Sequence, residues 1–421
     1  MKLNFKASIF FIALSTANII FASKDINGVE GKENKEYFPT YQESKKKECD
    51  YMSKCSCSDY RTCCPSLPLA NENGYVVLAG EYLYWKPYTL VPYAILNAAV
   101  PPFVDEQSDP AYVYYNKDVK TVKLNAHTGY RLNLAAYLPN CWLINATFRQ
   151  FQAHGTDGTS GSGDSSSIPL QERGWIDMVW ASIYPIIGGG NAQQGLPVSA
   201  NATQRYREKV LDIDFLRSFV CNRFTFNPFM GVRFAWLKAD LRVDYLVGDS
   251  FGSLRLPFTN HVDIANHLNL GIGLHTGLIS NIDLGSGFGI GSKIAIAPLI
   301  GQFQFAHREE MFDFLTVAAP LGFPGRFTME RSYKITNFQT NWEFGVDLNW
   351  GHHFKDCDYY LGLKVGYELS VWPKFFTAIR QSEITRSGTH ALSVPNTVDI
   401  MSKWTESLLT HGLNLGARFD F

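Results

Sequence analysis

The sequence predicts an all-β protein: a transmembrane antiparallel up-and-down β-barrel of about 10–14 strands, with long external loops and a Cys-rich N-terminal extension. Three observations predict it. Segment after segment alternates apolar and polar residues with period two, the repeat of a strand. The links between these segments alternate short and long, as tight turns at one rim and loops at the other require. The chain opens on what reads as an export signal, and no later run reaches the roughly 18 apolar residues of a spanning helix.

Composition agrees. Charged residues make up 18% and aromatics 14%, too aromatic for a helical protein and too apolar for a disordered one. A net charge of −1 excludes nucleic acid or another polyanion as a partner. Residues 1–22 read as a signal peptide, with Lys2 and Lys6 before the apolar Ala7–Ala17 and a cleavage site at Ile20-Phe21-Ala22. Residues 23–74 form a polar periplasmic extension without apolar periodicity, in which Cys49, Cys55, Cys57, Cys63 and Cys64 crowd together. The barrel is expected over residues 75–421.

Ten strands are expected. Tyr75–Lys86 turns Val76, Leu78, Tyr82 and Tyr84 one way and Glu81 the other. Residues 120–138 set Val122, Leu124, Leu132 and Leu134 against Arg131 and Asn133, and 141–152 set Trp142, Ile144 and Phe148 against Asn145, Thr147 and Arg149. In 205–217, Leu211, Ile213 and Phe215 oppose Asp212 and Asp214. Strand 223–237 has Phe234 and Trp236 opposite Arg233. Beyond Leu237 the apolar residues Leu241, Val243 and Tyr245 change phase, and a β-bulge is the economical explanation. Residues 264–279 place Leu268, Leu270, Ile272 and Leu274 opposite His275 and a row of glycines, and a turn at Ser280-Asn281 leads to 283–297, with Lys293 on the polar face. Residues 333–350 oppose Phe338, Trp342, Phe344 and Leu348 to Glu343 and Asp347, and 358–372 oppose Leu363, Val365 and Tyr367 to Lys364 and Glu368. The closing strand alternates Leu413, Leu415 and Phe419 with Asn414, Gly416, Arg418 and Asp420.

Hydrocarbon cannot satisfy backbone N–H and C=O groups, so a closed sheet with its apolar face outward is the arrangement of strands that survives there. The polar face then lines a lumen: Arg131, Arg149, Asp212, Asp214, Arg233, Lys293, Glu343, Asp347, Lys364, Glu368, Arg418 and Asp420. Mixed signs keep such a lumen hydrated without strong ion selectivity; the alternative is that the charges pair and plug a narrow barrel. Trp142, Trp350, Tyr359 and Phe419 near one rim and Trp85, Trp236 and Trp372 near the other are candidates for interfacial girdles.

The run REKVLDIDFLRSFVCNRFTFNPFMGVRFAWLKADLRVDY at 207–245, with GEYLYWKP at Gly80–Pro87, resembles the Legionella-type major outer membrane protein family. That resemblance implies a pore-forming, cofactor-free protein of the bacterial outer membrane, in contact with outer-membrane lipid. The last strand resembles the closing strand of outer-membrane barrels, which implies that Phe419 and Phe421 signal to the barrel-insertion machinery.

Cys141, Cys221 and Cys357 each fall in a short link, hence on the periplasmic rim with the Cys49–Cys64 cluster. In an oxidising compartment these eight are disulfide candidates. The pairing is either wholly intramolecular or, as in the chlamydial outer-membrane complex it resembles, extends to other copies and other Cys-rich envelope proteins. The cluster spacing fits no standard zinc pattern, so no metal is expected. Gly285–Gly291 lacks the following helix of a dinucleotide loop, and His307-Arg308-Glu309-Glu310 reads as loop charge. The leading function is a passive diffusion porin and not an enzyme. A structural or adhesive protein with a plugged lumen is the alternative, and no nucleophile constellation supports a barrel protease or phospholipase.

Overall fold

The computed structural model describes residues 75–99, 115–138, 142–160, 175–180, 196–248, 250–251, 254–255, 258–312, 326–354, 359–386 and 396–420. The signal peptide, the Cys-rich extension, Cys141, Cys357 and Phe421 lie outside them.

Ten long strands close on themselves. They are β1 (Tyr75–Tyr88), β2 (His127–Leu138), β3 (Trp142–Ser160), β4 (Leu196–Arg217), β5 (Phe224–Gly248), β6 (Phe258–Gly285), β7 (Phe288–Phe312), β8 (Arg326–Phe354), β9 (Tyr359–Arg386) and β10 (Asn396–Asp420). Each pairs antiparallel with its chain neighbours, and β1 with β10 completes the cylinder. The expected strand count and order hold. Lengths do not. β5 to β10 run 25–29 residues, whereas about 9–11 suffice to cross hydrocarbon. Much of what alternation assigned to long loops is strand that continues past the bilayer.

This overshoot explains the change of phase in β5. The β4–β5 register runs without a shift from Ser199↔Leu246 to Leu216↔Phe229, so β5 has no bulge near Leu237. Odd-numbered residues from Phe229 to Tyr245 all face the interior. What changes is the environment: above the bilayer the outer face meets water and the inner face packs a core. The bulge lies in β6, between Leu268 and Gly271, and turns Leu268 inward, where it is buried. Trp85 and Trp372, expected in a girdle, are buried in the lumen. The β6–β7 turn is at Ser286-Gly287 and not at Ser280-Asn281; Gly285 and Gly287 adopt φ of 90° and 81° there, where a Cβ is strained. His307 to Glu310 are part of β7.

The link between β1 and β2 folds back into the mouth. Pro92–Ala99 pairs with Tyr115–Thr121 and with Trp175–Met178 in a three-stranded sheet. Val91, Tyr93, Val122, Leu124, Val179 and Trp180 belong to one buried apolar cluster with Ala153, Ala200, Ala202, Ala235, Ala239 and Ala297 of the barrel wall. Small wall residues leave the space that this connection fills. The Tyr245 hydroxyl donates to the Tyr93 carbonyl (2.5 Å), and Trp180 Nε1 donates to the Pro92 carbonyl (2.6 Å). Val122 and Leu124, expected on the lipid face, are therefore inside.

The upper wall is interrupted where β1 ends at Tyr88 and β2 begins at His127, and again at a seam between β8 and β9. β8 pairs with β9 only from Trp342↔Val371 down to Phe354↔Tyr359. β9 leaves at Pro373-Lys374, where Lys374 takes φ 53°, and the Gln339 side-chain amide donates to the Pro373 carbonyl across the parting (2.8 Å). Above it β8 stays with β7 and β9 stays with β10.

Candidate functional site in the barrel lumen

Strand periodicity delivers all twelve predicted lumenal side chains to the interior, and the structure shows what they do there. They pair. Arg131 donates to Glu81 (2.6 Å) and grips both oxygens of Glu368 (2.8 and 2.5 Å), while Lys364 reaches the other Glu81 oxygen (2.8 Å). Arg149 donates to Glu208 (2.6 Å) and Glu343 (3.0 Å). Arg233 holds Asp212 through two N–H groups (2.6 and 2.7 Å) and lies 2.7 Å from the Glu343 carboxylate, which also takes Lys293 (2.7 Å). Around the cylinder β3 and β8 are diametrically opposite, so the Arg149–Glu343 pair bridges the full width of the lumen. Side chains of Arg149, Glu208, Glu343 and Arg233 are at most 6% exposed. The expected hydrated wall is, among the described residues, a cross-linked ionic layer.

Charge burial on this scale survives only with full compensation, and each strand supplies its share. Asp214 lies over Gly231, where a Cβ would stand 2.1 Å from the Ile213 carbonyl. Arg233 Nη2 donates to His275 Nε2 (3.0 Å), which leaves the ring proton on Nδ1 to donate to Asp214 (2.9 Å). Asp212, Asp214 and His275 have ligand atoms within 4.8 Å of one another. The Nδ1 proton that Arg233 imposes sits where a metal would bind, so the trio reads as a hydrogen-bond chain. Asp347 accepts from Asn349 (3.2 Å). Arg418 holds Asp420 through two bonds (2.7 and 2.6 Å) at the short-turn rim.

Toward the short-turn side, a polar cavity of about 130 Å³ touches Glu81, Arg149, Asp214, His275, Asp347 and Lys364. On the opposite side Trp85 caps the layer, with the Arg149 guanidinium 5.2 Å from its ring centre. Glu208 and Tyr206 are buried polar groups that sequence reading passed over, and Glu309, expected as loop charge, is buried in β7. Extending the Asp212–Asp214 alternation back by four residues reaches Glu208, so the signal was present. Cys221 sits in the short hairpin Phe219–Cys221 against Phe224–Phe226; the other seven cysteines lie outside the described residues.

The family described as "Legionella pneumophila major outer membrane protein precursor" matches residues 70–421. The chain belongs to this family. Its outward faces therefore meet the outer membrane: Leu132, Leu134, Phe215, Met230, Ile300, Phe338 and Leu415 are all exposed and uncharged. Phe419 is exposed with them. The protein is an integral outer-membrane β-barrel. No curated protein matches the chain. Among solved structures, it is similar to the outer membrane protease OmpT from Escherichia coli, at 10% identity over 82% of this chain and 96% of that one, with a TM-score of 0.37. The Pseudomonas putida toluene transporter TodX matches at 7% identity over 87% and 94%, TM-score 0.17. The Acinetobacter baumannii outer membrane channel DcaP matches at 10% over 83% and 96%, TM-score 0.15.

Proposed function

We propose that the protein is a porin-like channel for small hydrophilic solutes or ions, shut in the state described and opened when its ionic layer parts. The Arg149–Glu343 bridge carries this reading. A barrel that needs only a plug gains little from charge, because buried ion pairs are no more stabilising than apolar packing of the same volume, and apolar packing already fills the mouth. Ion pairs beside a polar cavity exchange partners for water; greasy contacts do not. The alanine-lined wall leaves room for solute once the Val91–Ala94 connection withdraws. Passage in this reading is passive, without catalysis or cofactor.

The N-terminal extension and the short turns are read as a periplasmic rim stapled by disulfides, as the position of Cys221 supports, with other copies or Cys-rich envelope proteins as partners. Phe419 and Phe421 are read as the contact for the insertion machinery. Full-length protein in planar bilayers tests the channel: brief conductance steps are expected from wild type, and a higher open probability from Glu343→Ala. Folded protein silent in both forms overturns the channel. That outcome favours a second reading, a structural or adhesive barrel with a permanently plugged lumen, for which the continuous apolar cluster in the mouth speaks.

A further inference from the structure

We infer that the outer wall carries a binding row for the phosphate groups of an anionic lipid in the leaflet at the long-loop rim. The lipid-facing band ends on a row of six apolar side chains in register on six strands: Phe148, Leu211, Phe234, Ile272, Ile300 and Phe338. Four residues higher along β4 runs a second row: Gln152, Arg207, Lys238, His267, Gln304 and Lys334. It contains no carboxylate. Between the rows, Lys209 sits beside Trp236, the aromatic of the interface.

Position selects the ligand. Four residues at a strand tilt of about 40° lift the basic row about 10 Å along the membrane normal, from hydrocarbon into the headgroup zone. Arg207, Lys209, Lys238 and Lys334 are exposed, and none has a carboxylate within ion-pair distance among the described residues. Higher rows differ. There Arg242 holds Asp244 (3.1 Å) and Arg308 is paired with Glu310, while within the basic row itself His267 turns up to Asp240 (2.7 Å). Arg207, Lys209, Lys238 and Lys334 thus present four cations without carboxylate partners at the height where lipid phosphates lie, and Arg205, one outward position higher, extends them. A soluble acidic partner would meet the mixed rows above first.

The test uses the full chain folded in zwitterionic detergent, titrated with a bis-phosphorylated glycolipid and followed by native mass spectrometry. Phosphatidylcholine and inorganic phosphate are the comparison arms. The Arg207→Gln/Lys209→Gln/Lys238→Gln variant is expected to lose about a hundredfold in glycolipid affinity, each cation near an anionic surface being worth about fivefold. Its lipid-free melting should match wild type, since all three side chains are exposed. If the triple variant does not fold, Lys238→Gln alone should weaken glycolipid binding about fivefold. Arg242→Gln/Arg308→Gln should bind as wild type. Unchanged affinity in the triple variant, or in Lys238→Gln where that is the variant read, overturns the inference. So does equal binding of phosphatidylcholine, and so does competition by inorganic phosphate, which would mark a free-anion site.

Discussion

Glu343 is the centre of the ionic layer, and removing its charge is the sharpest perturbation of it. One carboxylate there answers Arg149 at 3.0 Å, Arg233 at 2.7 Å and Lys293 at 2.7 Å. Glu343→Gln keeps the shape and leaves three cations around a neutral amide. Breaking a buried pair from one side typically costs about 3–5 kcal/mol, mostly the penalty of the stranded partner. Arg233 keeps Asp212 and Arg149 keeps Glu208, so the lower end, about 3 kcal/mol, is expected here. Arg149→Ala in the same background should cost less than it does in wild type, with a coupling of about 1–3 kcal/mol. The assay is reversible guanidinium unfolding in lipid vesicles, read by tryptophan fluorescence and by gel mobility without boiling. Glu343→Gln within about 0.5 kcal/mol of wild type, with zero coupling, would refute the buried-network argument.

Four further outcomes follow from the same geometry. Leu241→Ala should destabilise by about 2–5 kcal/mol although it lies above the bilayer, because it is in the inner core, while Arg205→Leu on the outer face should stay within about 0.5 kcal/mol; the same unfolding assay compares them. Met230→Arg on the lipid face should cost about 2–4 kcal/mol in vesicles, and much less in detergent. Gly231→Val drives a methyl-bearing carbon against the Ile213 carbonyl and the Asp214 carboxylate; a loss of about 1–3 kcal/mol is expected from overpacking, visible as a lower melting temperature. The proposed disulfide at Cys221 predicts that reductant changes the mobility of the unboiled wild-type band and that Cys221→Ser reduces this change, as non-reducing gels would show.

Within the bilayer the alternation was fully legible. Every strand there has one solvent on each side, lipid outside and a polar layer within, so period two reads out both faces. Legibility failed where the solvents exchange places. Leu241, Val243 and Tyr245 follow Trp236 with the phase reversed, and from sequence alone a reversed environment looks the same as an inserted residue. Trp85 and Trp372 were misplaced for the same reason, since an aromatic near a strand end suits an interface or a core equally. The lumenal residues were legible as a face but not as partners. Nothing in the spacing of Arg149 and Glu343, on opposite strands and 194 residues apart, says that they meet. That contact depends on the diameter of the cylinder, which closure sets and local pattern does not.

The parting of β8 from β9 has a mechanical consequence. A closed hoop of hydrogen bonds resists distortion all the way round, and here the hoop is complete only below two partings, beyond Gly129↔Phe151 between β2 and β3 and beyond Trp342↔Val371 between β8 and β9. Above them the wall is a pair of flaps, one ending in β8 and one formed by β9 and β10, latched by the Gln339 amide. Such a rim can splay under load while the ring below keeps its girth and the seal with the surrounding lipid stays intact.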